Sequence, residues 1–235
     1  PAVVNNTLKA VFRATNKQGK SASNYVHFKG LNSRIKKDKL TLVSAYSVPK
    51  QNRFFNPFDY KTYSEAQFIS TEEPIEGSDK IKESIAMVFA YKYIPADPGK
   101  YYLYSPDSEE AQEFCDKNGI RGYNREEMKS CVFYRIEGVG GYELDEAIEA
   151  AQDNNEKAKL INERNNLDWK YFDEYINDDY LSTLDFSNAT NALQLKGGFY
   201  AFKTFDNRKG IIWVNYLNNF NNPIPITIRR YIFQA

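Results

Sequence analysis

Phe199-Tyr200-Ala201-Phe202-Lys203-Thr204, then Asp206-Asn207-Arg208-Lys209-Gly210, then Ile211-Ile212-Trp213-Val214, is the stretch on which the fold reading rests. Two runs rich in aromatic and β-branched residues flank a polar segment that ends in glycine, which is the pattern of a β-hairpin. The second run continues to Leu217, and Ile224, Ile226, Ile228 and Ile232 follow at even spacing. Pro225, Thr227 and Arg229 alternate with them, so one face of a third strand is apolar and the other polar. The chain is expected to end in three antiparallel strands, the last with one face beneath helices and the other toward solvent.

Upstream of this sheet the period changes. Leu144, Ala147, Ile148, Ala151, Ala158 and Ile161 form a stripe at helical spacing, which predicts a long helix from about Glu143 with Asn154-Asn155 as the point of interruption. Leu167, Tyr171 and Tyr175 repeat that spacing, with Phe172 and Ile176 on the adjoining row. Two such helices can cover one face of a sheet. Ile85 to Ile94 is almost continuously apolar and aromatic, as in a central strand buried on both faces. Pro95-Ala96-Asp97-Pro98-Gly99 breaks it, and Tyr101 to Tyr104 returns as a hairpin partner. Ser105-Pro106, with Glu109 and Glu110, reads as a helix start, and Gly119 as its end. Asn124 with Glu127 starts a short second helix that runs into Cys131 to Ile136, a segment that can also turn extended.

Nearer the N-terminus, Leu40 to Tyr46 is a strand candidate preceded by a basic loop, Arg34, Lys36, Lys37 and Lys39. Residues 49–74 read as an irregular connection around one short strand. Leu8 to Ala14 and Tyr25 to Phe28, joined by Asn16 to Gly19, read as a hairpin. The fold class is α+β: an antiparallel β-sheet with helices packed on one face, preceded by a small β-rich N-terminal segment. The expected division is a hairpin segment at 1–37 and an α+β domain at 38–235.

Composition narrows the function classes. With 235 residues the chain can bury a sizeable core without metal or disulfide help. No apolar run approaches the roughly 18 to 20 residues of a membrane helix, and a chain that opens at Pro1 leaves export open. Aromatics reach 15%, and asparagine is about a tenth of the chain. Both suit a carbohydrate-binding surface, although an AT-rich genome would raise Asn, Lys, Tyr and Phe together. The candidate ligand-binding aromatics are Phe54, Phe55, Phe58 and Tyr60 in one loop and Tyr101 and Tyr102 in another. Residues 1–70 carry about nine more positive than negative charges, and residues 143–179 about eight more negative ones. The formal total is zero, which argues against a nucleic-acid partner.

Gly138-Val139-Gly140-Gly141 stands where a phosphate-cradling loop would, but Glu143 occupies the third glycine position of the dinucleotide pattern, and Asp145 and Glu146 follow. The segment reads as a tight structural turn, and no cofactor is expected. His27 is the one histidine, too few for a multi-histidine metal site or a histidine-based nucleophile system. Cys115 and Cys131 fall on apolar faces of the expected helices and read as buried thiols. In an exported chain they would be candidates for a disulfide, whose loop of about 16 residues would add on the order of 3 kcal/mol. The adjacent acids Glu72-Glu73, Glu109-Glu110, Glu126-Glu127 and Asp178-Asp179 diverge on any regular element, whereas glycoside hydrolysis needs facing carboxylates.

Ala14-Thr15-Asn16-Lys17-Gln18-Gly19-Lys20-Ser21-Ala22-Ser23 resembles the last hairpin of the immunoglobulin-like or PKD-like modules of Bacteroidota surface lipoproteins. The order of the Ile85 to Ile94 strand, Tyr102-Leu103-Tyr104-Ser105-Pro106, Phe199 to Thr204 and Lys209 to Val214 resembles an uncharacterised lipoprotein domain of that phylum, over most of residues 38–235. The resemblance implies export to the cell surface, outer membrane or periplasm, and lipid anchoring of a precursor, although the lipid-bearing cysteine is not in this sequence. It transfers no activity. Three functions follow as expectations: a non-catalytic binding module for a glycan or protein, a structural component of a surface assembly, and a carboxylate-dependent glycan hydrolase.

Overall fold

A computed structural model describes residues 7–15, 17–29, 35–42, 52–70, 73–94, 97–215 and 224–231. It divides into two compact units, Pro1–Arg34 and Ile35–Ala235. In the first, β1 (Thr7–Thr15) and β2 (Ser21–Lys29) form an antiparallel hairpin, with Leu8 opposite Phe28 and Ala14 opposite Ala22. Gly19, at φ +80°, makes the left-handed step of the turn. Asn16 lies outside the described residues.

The second unit carries, in order, β3 (Ile35–Leu42), β4 (Phe54–Asn56), β5 (Lys61–Tyr63), α1 (Ser78–Ser84), β6 (Met87–Ile94), β7 (Asp97–Tyr104), α2 (Glu109–Lys117) and β8 (Cys131–Ile136). It continues with α3 (Asp145–Ala150), α4 (Asn154–Glu174), α5 (Asp178–Thr183), β9 (Ala192–Leu195), β10 (Gly198–Thr204), β11 (Lys209–Val214) and β12 (Ile224–Tyr231). The strands form two antiparallel sheets, β3-β12-β11-β10-β8 and β5-β4-β6-β7-β9. The three C-terminal strands expected from the sequence are consecutive members of the first, and β6 is the middle strand of the second.

Period-two alternation explains how the sheets pack. Tyr200, Phe202, Ile212, Val214, Cys131 and Phe133 of the first sheet share one apolar cluster with Phe55, Met87, Phe89, Tyr101 and Leu103 of the second. The intervening residues face outward. Phe199, Ala201, Ile211 and Trp213 meet Phe172 of α4 and Leu181 of α5. Phe54, Val88, Ala90 and Tyr104 meet Ala111, Phe114 and Cys115 of α2. Each sheet thus has helices on one face and the other sheet on its other face, which makes four layers with three apolar interfaces. Both faces of β10 and β11 are buried as a result. None of the described helices is long and apolar enough to cross a membrane.

Several local expectations move. The basic residues Lys36, Lys37 and Lys39 are in β3 rather than a loop, because β12 supplies an antiparallel backbone ladder along the whole strand. Arg34 and residues 43–46 lie outside the described residues. The helix expected at Ser105 starts three residues later: Ser108 is the N-cap, its hydroxyl accepting from the Ala111 N–H at 3.1 Å. Ser105 is buried and instead accepts from the Cys131 N–H at 2.8 Å, which ties the end of β7 to the start of β8 across the two sheets. Gly119, at φ +70°, ends α2 in a Schellman turn, the Ile120 N–H donating to the Cys115 carbonyl at 2.9 Å. Cys131 is on a strand, since only a 3-10 turn at Arg125–Glu127 precedes β8. The long helix is divided before Asn154, where the Asp153 carboxylate accepts from the Asn155 and Glu156 N–H groups and starts α4 afresh.

Phe133 and Phe202 are register partners, both fully buried between the sheets. Phe133→Ala is expected to cost about 3–5 kcal/mol of unfolding free energy, with the fold retained, as read from the shift in urea midpoint at unchanged m-value.

Candidate functional site

The polar centre of the molecule lies where β8 leaves the first sheet. Val139 and the glycines around it turn the chain back over α4, with Gly138 at φ +71° and Gly140 at φ +61°. A Cβ on Gly140 would stand 2.3 Å from Asp168 Oδ1, and one on Gly141 would stand 2.9 Å from the Arg164 Cα. This loop is therefore a close approach of backbone to helix. The Gly141 N–H donates to Asp168 Oδ1 at 2.9 Å, so the donor that a phosphate loop would offer is already committed to a carboxylate.

Arg164 is 1% exposed and Asp168 is 0% exposed, one turn apart on the buried face of α4. The Arg164 guanidinium uses its whole fork. Nη1 reaches Asp168 Oδ1 at 2.5 Å, Nε reaches Asp145 Oδ1 at 2.5 Å, and Nη2 donates to the Gly197 carbonyl at 3.2 Å. Asp145 is shared, since its Oδ2 accepts from Arg135 Nη2 at 2.5 Å, and Arg135 also donates to the Gly197 carbonyl at 3.0 Å. Trp213 Nε1 donates to Asp168 Oδ2 at 3.3 Å. Two guanidinium groups and two carboxylates thus join β8, α3, α4, the β9–β10 turn and β11. Gly198 makes room for them, because a Cβ there would stand 2.9 Å from Arg164 Nη2.

Burial pushes the Asp168 carboxyl above the ordinary carboxylate range, opposed by Arg164 and by the Gly141 and Trp213 N–H groups. Burial works against the charge of Arg135, but Tyr200 and Asp145 outweigh it and hold that guanidinium above its ordinary value. The Tyr200 hydroxyl beneath is pushed up to about 12 by burial. It accepts from the Lys196 N–H at 2.6 Å and donates to the Lys196 carbonyl at 3.0 Å, which fixes the β9–β10 turn.

Above this network opens a cleft of about 410 Å³, lined by Arg135, Tyr142, Glu143, Asp145, Glu146, Glu149 and Lys196. The Arg135 guanidinium lies 5.2 Å from the centre of the Tyr142 ring, and Lys196 Nζ pairs with Glu149 Oε1 at 2.7 Å. The four acids all come from residues 143–149, while Arg135 and Lys196 come from the sheet side. Such a lining is suited to binding a polar ligand through hydrogen bonds and charge.

The residues singled out in the sequence lie elsewhere. Phe54, Phe55 and Tyr101 are buried core residues and cannot form a ligand platform. Phe58 is half-buried beneath the Arg208 guanidinium at 3.1 Å, and Tyr60 is half-buried against the inter-sheet cluster. Tyr102 is half-buried and stacked on Tyr104. Cys115 and Cys131 are free, buried thiols held on different faces of the second sheet, Cys115 in the outer cluster and Cys131 in the inter-sheet one. Burial pushes both thiols well above their ordinary value. The side chain of His27 and all of Glu72 lie outside the described residues. Among the described residues no group of three or more His, Cys, Asp or Glu side chains could hold a metal ion. Sequence reasoning missed Arg135, Asp145, Arg164, Asp168 and Lys196. A usable signal was present: Ile161, Arg164, Asp168 and Phe172 share one helical stripe, which places two opposite charges at i and i+4 on an otherwise apolar face.

No protein-family model matches the chain, and no curated protein matches it. A solved structure does, the crystal structure of a DUF4466 family protein from Parabacteroides merdae, with a TM-score of 0.53 at 14% identity. The likeness is one of fold. It covers 97% of this chain and 64% of that one, so the present chain spans about two thirds of its length. The neighbour belongs to an uncharacterised family of the phylum that the sequence resemblance named.

Two measurements check this geometry. Arg164→Met is expected to cost about 3–5 kcal/mol by leaving Asp168 buried and uncompensated, and Arg164→Met with Asp168→Leu to recover much of that loss in the same urea titration. A thiol reagent is expected to react slowly with the native protein and to count two thiols after unfolding without reductant; a count of zero would mean a disulfide.

Proposed function

We propose that Ile35–Ala235 is a non-catalytic binding module of the bacterial cell surface or periplasm, that its ligand is a glycan, and that the cleft over the Arg135–Asp145–Arg164–Asp168 network is its binding site. The observation that carries this reading is the pairing of an open polar cleft with a largely buried network of ion pairs beneath it. Such a floor holds Tyr142, Arg135 and Asp145 in fixed positions, so ligand hydroxyls meet donors and acceptors that need little further ordering. The volume of about 410 Å³ suits one or two sugar rings rather than an extended chain.

The non-catalytic part of the reading rests on the origin of the acids. A glycosidase sets two carboxyl groups on opposite sides of the scissile bond. Here the acids lining the cleft belong to one short segment, and two of them, Asp145 and Glu149, are paired with the cations Arg135 and Lys196. Export and lipid anchoring of a precursor rest on the resemblance to surface lipoproteins, in which the hairpin at 1–37 would be the remnant of an immunoglobulin-like module preceding the 38–235 domain. A second reading, a structural component of a surface assembly, is favoured by the exposed Leu167 on α4 and Tyr175 at its C-cap, at 41% and 56%.

A glycan array followed by calorimetry on the full chain tests the first reading. At least one oligosaccharide class is expected to bind, with Tyr142→Ala weakening it about tenfold or more at unchanged thermal stability. Absence of any glycan ligand, together with self-association or partner capture lost in Tyr175→Asp, would favour assembly instead.

A further inference from the structure

The charges lining the cleft do not cancel. Of its two cations, Arg135 is held by Asp145 at 2.5 Å and Lys196 by Glu149 at 2.7 Å. Arg164 and Asp168 beneath them are paired with each other. Glu143 and Glu146 remain, both exposed on the cleft wall and neither bonded to a described residue. The cleft therefore presents a residual charge of two carboxylates beside a tyrosine ring that already attracts one cation, the Arg135 guanidinium 5.2 Å from its centre. An anionic ligand would have to displace Asp145 or Glu149 from its partner and then face Glu143 and Glu146. A neutral sugar would donate hydroxyls to the two carboxylates but leave their charge unmatched.

We infer that the cleft selects a sugar bearing a free amino group, with Glu143 and Glu146 as counter-ions to its ammonium and Tyr142 beside the ring. This rests on the glycan-binding reading above and adds the ligand's charge class to it. An ammonium offers three donors and a full charge to the two free carboxylates, whereas the N-acetylated form of the same sugar offers one N–H and no charge. The Glu149 carboxylate is already matched by Lys196, so the ammonium belongs with Glu143 and Glu146.

The test is calorimetric titration of the full chain with glucosamine oligomers and with their N-acetylated counterparts of equal length, at low and at high salt, alongside trilysine. The expected result is about tenfold tighter binding of the free-amine oligomer at low salt, with the preference reduced at high salt. Glu143→Gln with Glu146→Gln, both exposed and outside the buried network, is expected to remove the preference while leaving the melting temperature unchanged. Equal binding of the two oligomers in the parent protein would overturn the amino-sugar inference and leave the glycan reading standing. Binding of trilysine without binding of either oligomer would overturn both. A preference that survives the double substitution would overturn the assignment to Glu143 and Glu146.

Discussion

The guanidinium of Arg164 is a full charge held where water does not reach, and the second unit is arranged around that constraint. A buried guanidinium is tolerated only when each edge of its fork meets an acceptor and its charge is matched. Asp168 supplies one carboxylate from the next turn of α4, Asp145 a second from α3, and the Gly197 carbonyl a third contact. None of these groups is close to Arg164 for the same reason. Asp168 is helical spacing, Asp145 requires the chain to fold back over α4 through Gly140 and Gly141, and Gly197 requires the β9–β10 turn to come beneath with no side chain at Gly198. One charge thus specifies two backbone approaches.

The same constraint couples the outer helical layer to the sheet. Apolar contacts between α4 and the first sheet, through Phe172, Phe199 and Trp213, give burial without fixing how far the helix slides along the sheet. The Trp213 Nε1 contact to Asp168 and the Gly141 N–H contact on the same carboxylate are directional and add that restriction. The opposite outer layer has a different solution. There α2 sits on the second sheet through Ala111, Phe114 and Cys115, and position is set by the Ser108 cap and by the Tyr123 hydroxyl donating to the Pro106 carbonyl. The candidate cleft forms over the side that uses charge because charged side chains anchored below leave polar groups at the rim above.

Much of the strand layer was legible. The Phe199 to Val214 hairpin, the Ile85 to Ile94 strand and the N-terminal hairpin each carry enough β-branched and aromatic residues to declare themselves locally. Lys36 to Lys39 did not, because a basic segment becomes a strand only when a partner such as β12 supplies its ladder. The aromatic segments near Phe54 and Tyr101 misled for a related reason. Aromatic residues serve a ligand platform and an inter-sheet core equally well, and only the second sheet's packing decides that Phe54, Phe55 and Tyr101 are interior. Leu167 and Tyr175 show the converse: their spacing matches a buried stripe, but the sheet meets α4 along Ile161, Arg164, Asp168 and Phe172 instead.

The sequence by itself determined the α+β class, the antiparallel pairing at the C-terminus, the helical region after Glu143 and the turn at Gly138 to Gly141, because each follows from a local period or from a residue's own backbone freedom. Only the tertiary structure decided that there are two sheets sharing a core, that Cys115 and Cys131 are separated by one of them, and that Arg135, Asp145, Arg164 and Asp168 converge beneath a cleft. Periodicity reports which face of an element is apolar but not which other element will cover it. A charge network assembled from positions 135, 145, 164 and 168 exists only once the layers that carry them have packed.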